Sequence, residues 1–414
     1  MNKKYISKID ETLYVKNYNN GLTAVFIKKE NFNKIHASVT TKFGSLNNNF
    51  LLNNDEYEIT DGIAHFLEHK MFENPKKDVF ELFSQYGASV NAYTSFDHTC
   101  YYFSCSNNFK DNFAILLEMI TTPYFTDKTV NKEKGIIAEE IKMYEDDPYW
   151  ILYYELLKNL YESHPLRIDI AGSINSINSI TKDDLYLCYN SFYHPRNLIV
   201  TVVGNFDLEE ANNLIIKYYG DINDQDEVYN ISTEDIDVFK KSSEVKMDIK
   251  VTKYAVGYKQ RKTLYYDPIR ESAINIYLKL LFGQTSSNYE KLSSKGIFTS
   301  FQYSEIDTTG FAMISSEVKD ERQFLNLIEE TLDSKVSEES FNKYKKKLIG
   351  SNIRIFNSID NLSRLINDCY VNNYEIEDML EGIEMLTYSD MINYAKELFD
   401  EKNRTCAIVK PKSK

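Results

Sequence analysis

Between residues 12 and 46 apolar positions come in short runs. Leu13 and Val15 are followed by Leu22-Thr-Ala-Val-Phe-Ile27 after an Asn-Asn-Gly turn, and then by Ala37-Ser-Val-Thr-Thr41. Runs of this length, rich in β-branched residues and bounded by turn formers, predict strands. Helical spacing then predicts helices over about 61–73 and 78–86, with strands returning at Ala88–Tyr93 and Thr99–Ser104. Further helical patterns cover about 109–121, 129–145, 148–161 and 181–192. Asn197-Leu-Ile-Val-Thr-Val-Val-Gly204 reads as a buried strand, and a helix starts at Leu208. Strands and helices mix without strict alternation. The expected class is therefore α+β, with helices packed on a mixed or antiparallel sheet, rather than a doubly wound parallel sheet.

From Gly220 to Glu244 the chain turns polar and acidic, and beyond it the succession of strands and then helices begins again. The expected organisation is a first domain over 1–220, an acidic linker over 221–244 and a second domain over 245–414. The second half reads as a degenerate copy of the first. A shift of 211 positions without gaps sets Phe113 on Phe324, Leu116 on Leu327, Leu117 on Ile328 and Glu118 on Glu329. Further on, Val130-Asn-Lys132 falls on Phe341-Asn-Lys343 and Ile137 on Leu348. Two consecutive helical patterns held in register favour duplication over a chance likeness of amphipathic helices.

Composition narrows the function without choosing it. Hydrophobic residues make up 43% and aromatics 14%, enough for buried cores, so a disordered chain is excluded. The net charge of −14 argues against a nucleic-acid binder and is most simply a solvated acidic surface. Cys100, Cys105, Cys188, Cys369 and Cys406 are scattered and form no Cys-x-x-Cys, unlike a disulfide framework or a zinc ribbon. The first residues lack the apolar run of a signal peptide, and no stretch approaches the ~18 apolar residues of a membrane span. A soluble, cytoplasmic setting is expected.

The chemistry lies in His65-Phe-Leu-Glu68-His69, which follows Asp61, a candidate N-cap. On a helix, positions i and i+4 share a face, so His65 and His69 can grip one ion with Glu68 beside it. Zinc suits imidazole nitrogen and carboxylate oxygen, and a catalytic site keeps three protein ligands plus water. An adjacent carboxylate can take the proton of that water. With 6 His in the chain, composition would give this pattern on the order of once in a hundred such sequences. The competing reading is a helix with surface histidines; against it, a third ligand is at hand. Glu133 and Glu140 stand two helical turns apart in Glu133-Lys-Gly-Ile-Ile-Ala-Glu139-Glu140. Ile136, Ile137 and Met143 flank Glu140, whereas Gly135 and Lys142 flank Glu139, which favours Glu140 as the ligand. The 211-residue shift carries His65, Glu68 and His69 onto Ile276, Lys279 and Leu280, and Glu133 and Glu140 onto Tyr344 and Ser351. Only the first copy keeps the metal set.

These residues resemble the pitrilysin family of inverted-motif zinc peptidases, relatives of insulin-degrading enzyme and mitochondrial processing peptidase. The likeness extends through Gly87-Ala-Ser-Val-Asn-Ala-Tyr-Thr-Ser95, Tyr124-Phe125, His164-Pro-Leu-Arg-Ile-Asp-Ile-Ala-Gly172 and Phe192-Tyr-His-Pro-Arg-Asn-Leu198, and is closest to the short bacterial single-unit members. The resemblance implies two duplicated α/β sandwich domains, with one zinc on His65, His69 and Glu140 and Glu68 as general base. It also implies that Glu133 steadies a ligand from outside, and that Asn91 and Ala92 lie on an edge strand that pairs with peptide backbone. In the family an Arg and a Tyr from the metal-free domain stabilise the scissile carbonyl. Here Ser293 and Thr299, in Leu292-Ser-Ser-Lys-Gly296-Ile-Phe-Thr299, stand at those positions. The expectation is a zinc endopeptidase for unstructured oligopeptides, such as a peptide or leader to be matured. It would work in a heterodimer with a same-fold partner subunit that supplies the missing pair, unless Tyr303 or Lys295 substitutes; a homodimer is the alternative assembly. The rival expectation is a non-catalytic scaffold subunit.

Overall fold

The structure, a computed structural model, describes residues 1–75, 78–231, 237–261, 263 and 265–412. Its first sheet is built from β1 (Asn2–Ile6), β2 (Glu11–Asn17), β3 (Thr23–Lys28) and β4 (Ile35–Thr41). A small separate sheet follows with β5 (Asn49–Leu52) and β6 (Asp55–Glu58), and the main sheet resumes with β7 (Ser89–Thr94), β8 (Thr99–Cys105) and β9 (Leu198–Gly204). The strand order is β1-β2-β3-β9-β4-β8-β7, antiparallel except for the β3–β9 pair, and β7 is an outer strand. Later come β10 (Tyr229–Asn230), which joins the small sheet, then β11 (Ser242–Met247), β12 (Thr252–Gln260), β13 (Ser300–Ile306), β14 (Thr309–Val318) and β15 (Arg404–Pro411). These last five form a second sheet in the order β11-β15-β12-β14-β13, again with a single parallel pair.

The duplication is visible in the elements themselves. A shift of 211 carries helix Pro148–Leu160 onto helix Ile359–Val371 at both ends. Helices Phe109–Thr121 and Asp127–Glu145 fall on Glu321–Leu332 and Glu338–Ile355 to within a residue. β7 and β13 begin in register under the same shift.

The compact units are not the contiguous spans expected from the sequence. One comprises Met1–Ile141, Asp169–Ser232 and Ile353–Ile376; the other comprises Lys142–Ile168, Thr233–Asn352 and Glu377–Lys414. The duplicated helices are exchanged. Pro148–Leu160 packs on β11, β12 and β15, whereas Ile359–Val371 packs on β4 and β9. Nor is 221–244 simply a linker, because β10 and β11 at its two ends belong to sheets; its residues 232–236 lie outside the described residues.

Packing explains the exchange. In the first unit Asn367 donates to Ser38 Oγ at 3.1 Å and accepts from Thr201 Oγ1 at 2.7 Å, all three buried. These contacts answer a buried hydroxyl on each of two buried strands. In the second unit Leu156, the residue matched to Asn367 by the 211 shift, lies against Gly257, where an added Cβ would meet its side chain at 2.8 Å. Gly257 is itself the counterpart of Ser38. Ser38 pairs with Tyr102 across β4–β8, Gly257 pairs with Met313 across β12–β14, and the shift carries Tyr102 onto Met313. The same helix–strand contact is thus polar in one unit and tightly apolar in the other. Asn367→Ala is expected to destabilise the first unit by about 1–3 kcal/mol, by stranding the buried Thr201 hydroxyl and leaving Ser38 with only its 3.4 Å contact to Ser363, as read from urea denaturation.

Candidate metal centre

The helix bearing the inverted motif, Ile63–Lys70, buries Ile63, Ala64, Phe66 and Leu67 and leaves its histidines on the opposite side. Its N-cap is Gly62 rather than Asp61. Gly62 has φ +86°, and a Cβ there would come within 2.5 Å of the Ala171 carbonyl oxygen, so only glycine fits the entry turn. Asp61 instead accepts a hydrogen bond from Asn48.

The carboxylate that meets the two imidazoles comes from helix Asp127–Glu145, which is anchored in the first core by Val130, Ile137 and Ile141. Glu140 Oε2 lies 3.8 Å from His65 Nε2 and 3.7 Å from His69 Nε2, and the imidazole centroids are 4.6 Å apart. One donor atom from each of the three residues lies within 4.8 Å of the other two, a set able to hold a cation. Separations of 3.7–3.8 Å are too long for hydrogen bonds. They do suit donors that each lie about 2 Å from a shared ion. Among the described residues no other cluster of this kind occurs. Glu139 is not part of it. The flanks that pointed to Glu140 are only partly apolar cover, since Ile136 is 47% exposed and Met143 62% exposed.

The donors around this point are electrostatically primed. Burial, and then the neighbouring His69, push His65 down to about 3, which leaves a neutral imidazole with a free lone pair. His65 Nδ1 is buried without a hydrogen-bond partner. Burial also opposes charge on His69, but its hydrogen bond to Glu133 and the carboxylates of Glu68, Glu133 and Glu140 outweigh it and raise its pKa. The Glu133 contact runs from His69 Nδ1 to Oε1 at 3.0 Å and directs Nε2 toward Glu140. Burial raises the pKa of Glu68, offset in part by a hydrogen bond from Thr94. Glu68, His69, Phe72, Asn91, Glu133 and Ile136 all line an open cavity of about 580 Å³.

Asn91 and Ala92 lie on the outer strand β7, where the Ala92 amide donates to Asn91 Oδ1 at 2.9 Å. The role of Thr94 was not foreseen in the sequence, although the residue lies in the same Asn91-Ala-Tyr-Thr segment; only the contact with a helix 26 residues away reveals it.

The family model described as Insulinase (Peptidase family M16) matches residues 28–173, and that described as Peptidase M16 inactive domain matches residues 179–348. The uncharacterized zinc protease YmfH of Bacillus subtilis is 37% identical over 420 residues, covering 98% of each chain. The chain belongs to peptidase family M16. An M16-like peptidase from Alicyclobacillus acidocaldarius superposes with a TM-score of 0.92 at 30% identity, covering 97% of this chain and 99% of that one. A Helicobacter pylori protease shares the fold with a TM-score of 0.82 at 22% identity, covering 96% and 99%. Membership of M16 agrees with a donor set confined to the first copy. No helix among the described residues is long and apolar enough to cross a membrane.

In the second unit Ser293 and Thr299 are half-buried and Lys295 is exposed. Tyr303 cannot substitute for a missing phenol. It is 2% exposed, and its hydroxyl donates to Glu305 at 3.1 Å.

In the metal-free protein His69 is expected to titrate above the usual 6.5, because Glu133 stabilises its charged form. Glu133→Ala is expected to bring that titration down, read from imidazole NMR shifts across pH 5–9 (about the usual His range). An unchanged titration would remove Glu133 from its part in setting the ring.

Proposed function

We propose that the chain is a zinc endopeptidase acting on unstructured oligopeptides, with His65, His69 and Glu140 as ligands and Glu68 as general base. The observation that carries this reading is the convergence of the two Nε2 atoms and Glu140 Oε2 beside a buried carboxylate on an open cavity. The donor set fits zinc in type and number, and it leaves a position open beside Glu68. Zinc, when bound, supplies Lewis acidity that activates water near neutral pH and polarises a carbonyl.

The protein's own groups do the rest. Glu68, whose pKa is raised by burial, takes the proton from the attacking water and delivers it to the leaving amine. Glu133 holds the His69 ring in the orientation that ligation requires. The outer strand β7 offers its backbone to an extended peptide. Pairing through Asn91 and Ala92 gives affinity with little dependence on sequence. Maturation of a small peptide, or removal of its leader, suits such a site.

The same reading includes a partner. Ser293 and Thr299 carry neither the charge nor the phenol that the family resemblance leads one to expect, and Tyr303 is locked in the core of its own unit. A second subunit of the same fold, a different chain in a heterodimer, supplies the groups that stabilise the scissile carbonyl, since another copy of this chain would bring the same Ser293 and Thr299.

Metal analysis joined to peptide cleavage tests both parts. Wild-type protein is expected to bind one zinc, and Glu68→Gln to retain it while turnover falls roughly 10²–10⁴-fold. Equal turnover by the two would remove Glu68 from its role, and zinc binding with no turnover by either protein would favour the scaffold alternative. Full activity from the homogeneous, monomeric chain would rule out the obligate partner.

A further inference from the structure

Thr94 is the last residue of the outer strand β7, and its hydroxyl donates to Glu68 Oε2 at 2.7 Å. Glu68 is buried, and among the described residues no other side chain donates to it. The adjacent hydroxyl of Thr99, 3.4 Å from Thr94 Oγ1, has the Phe43 carbonyl at 2.8 Å as its nearer acceptor. The single hydroxyl proton of Thr94 is therefore committed to Glu68. This contact divides the carboxylate into two different oxygens. Oε2 is held by the protein, while Oε1 accepts no hydrogen bond from the described residues and belongs to a side chain lining the cavity.

We propose that Thr94 is the positioning residue of the general base. It fixes the carboxylate rotamer through Oε2 and leaves Oε1 for the attacking water; the inference rests on the peptidase reading above. Glutamate has three side-chain torsions, so an unheld carboxylate samples several positions, whereas a base works only within hydrogen-bond reach of the proton it takes. A hydrogen bond to a charged acceptor is among the stronger non-covalent ties available for holding it.

The second copy supplies a comparison inside the same chain. The 211-residue shift carries Thr94 onto Glu305 and Glu68 onto Lys279. Glu305 does not serve a helix carboxylate there. It accepts from Arg270 Nε at 2.8 Å, from the Asp267 amide at 2.8 Å and from the Tyr303 hydroxyl, in a satisfied buried network. A strand-end hydroxyl is present where the base is present, and both are replaced together. A general need to tie the strand end to its helix would not require a hydroxyl, because the second copy makes its ties with an ion pair.

The test compares Thr94→Val, which keeps shape and loses the hydroxyl, with Thr94→Ser, which keeps the hydroxyl, using Glu68→Gln as reference. Zinc content, kcat, KM and crystal structures are measured for each. Thr94→Val is expected to lose roughly 10- to 100-fold in kcat, with KM and zinc content unchanged, because misplacement of a catalytic group by about 1 Å costs rates of this order. Its crystal structure is expected to show the Glu68 carboxylate moved or split between conformers, beyond the ~0.5 Å that a working site tolerates. Thr94→Ser is expected to restore both the carboxylate position and most of the turnover. A carboxylate unmoved in Thr94→Val, or a Thr94→Ser protein as impaired as Thr94→Val, overturns the proposal. Absence of turnover in the wild type as well as in every variant would instead sink the peptidase reading, a result separable from the crystallographic one.

Discussion

Two imidazoles one helical turn apart and a carboxylate from a distant helix share a point in the first unit, and the local structure follows from keeping them there. Such a cluster opposes its own burial. Each charged group loses hydration, and the imidazoles repel one another when protonated. The strain appears in opposite directions on neighbouring residues, with His65 pushed down to about 3 and the pKa of Glu68 raised. A cation at the shared point relieves both, since it pairs with neutral imidazoles and ionised carboxylates. Gly62 at the helix entry, Glu133 behind His69 and the core residues Ile137 and Ile141 are the means by which an apolar framework holds this arrangement.

Duplication shows how little of that framework is specific to the chemistry. The second unit repeats the helices and the outer strand, yet places Ile276, Lys279 and Leu280 where the first has His65, Glu68 and His69. At the exchanged helices the same contact is made twice by different means. Asn367 answers hydroxyls on β4 and β9, and Leu156 fills the space left by Gly257. The two solutions are not interchangeable. Leucine at position 367 would strand the Thr201 hydroxyl and leave Ser38 only its contact with Ser363, and asparagine against Gly257 would bury an amide with no such partners. Each helix is therefore matched to the sheet it covers by chemistry rather than by its place in the chain.

This explains what could be read from the sequence. Strands β2, β3, β4, β7, β8 and β9 and the long helices were legible because each carries its own periodicity, and the 211-residue register because two helices keep it together. The domain limits were not legible, since the helical pattern of residues 148–160 does not say which sheet it will cover. Short elements such as β1, β5 and β6 lack enough residues to establish a period. The convergence of His65 and His69 was legible because i, i+4 spacing fixes geometry locally, and the approach of Glu140 because it shares a helix with a second carboxylate two turns away. The Thr94–Glu68 contact was not, because nothing in a strand sequence shows which helix its last hydroxyl will reach.

The position of β7 joins these threads. In one six-residue strand, the Ala92 amide donates to its neighbour Asn91, and Thr94 reaches the carboxylate of Glu68. A peptide added to this edge must displace the Asn91 side chain from the Ala92 amide, since one N–H cannot serve two acceptors fully. On the proposed reading, the contact that would receive the peptide and the contact that would hold the base are two residues apart on the same strand. Strand geometry sets their spacing at about 6.5–7 Å. An extended chain seated in register would be placed relative to Glu68 by the backbone of β7 itself, with no loop required to carry it there. On the proposed reading, the fold supplies orientation through an element that is also part of its core sheet, and selectivity is left to the side chains lining the cavity beside it.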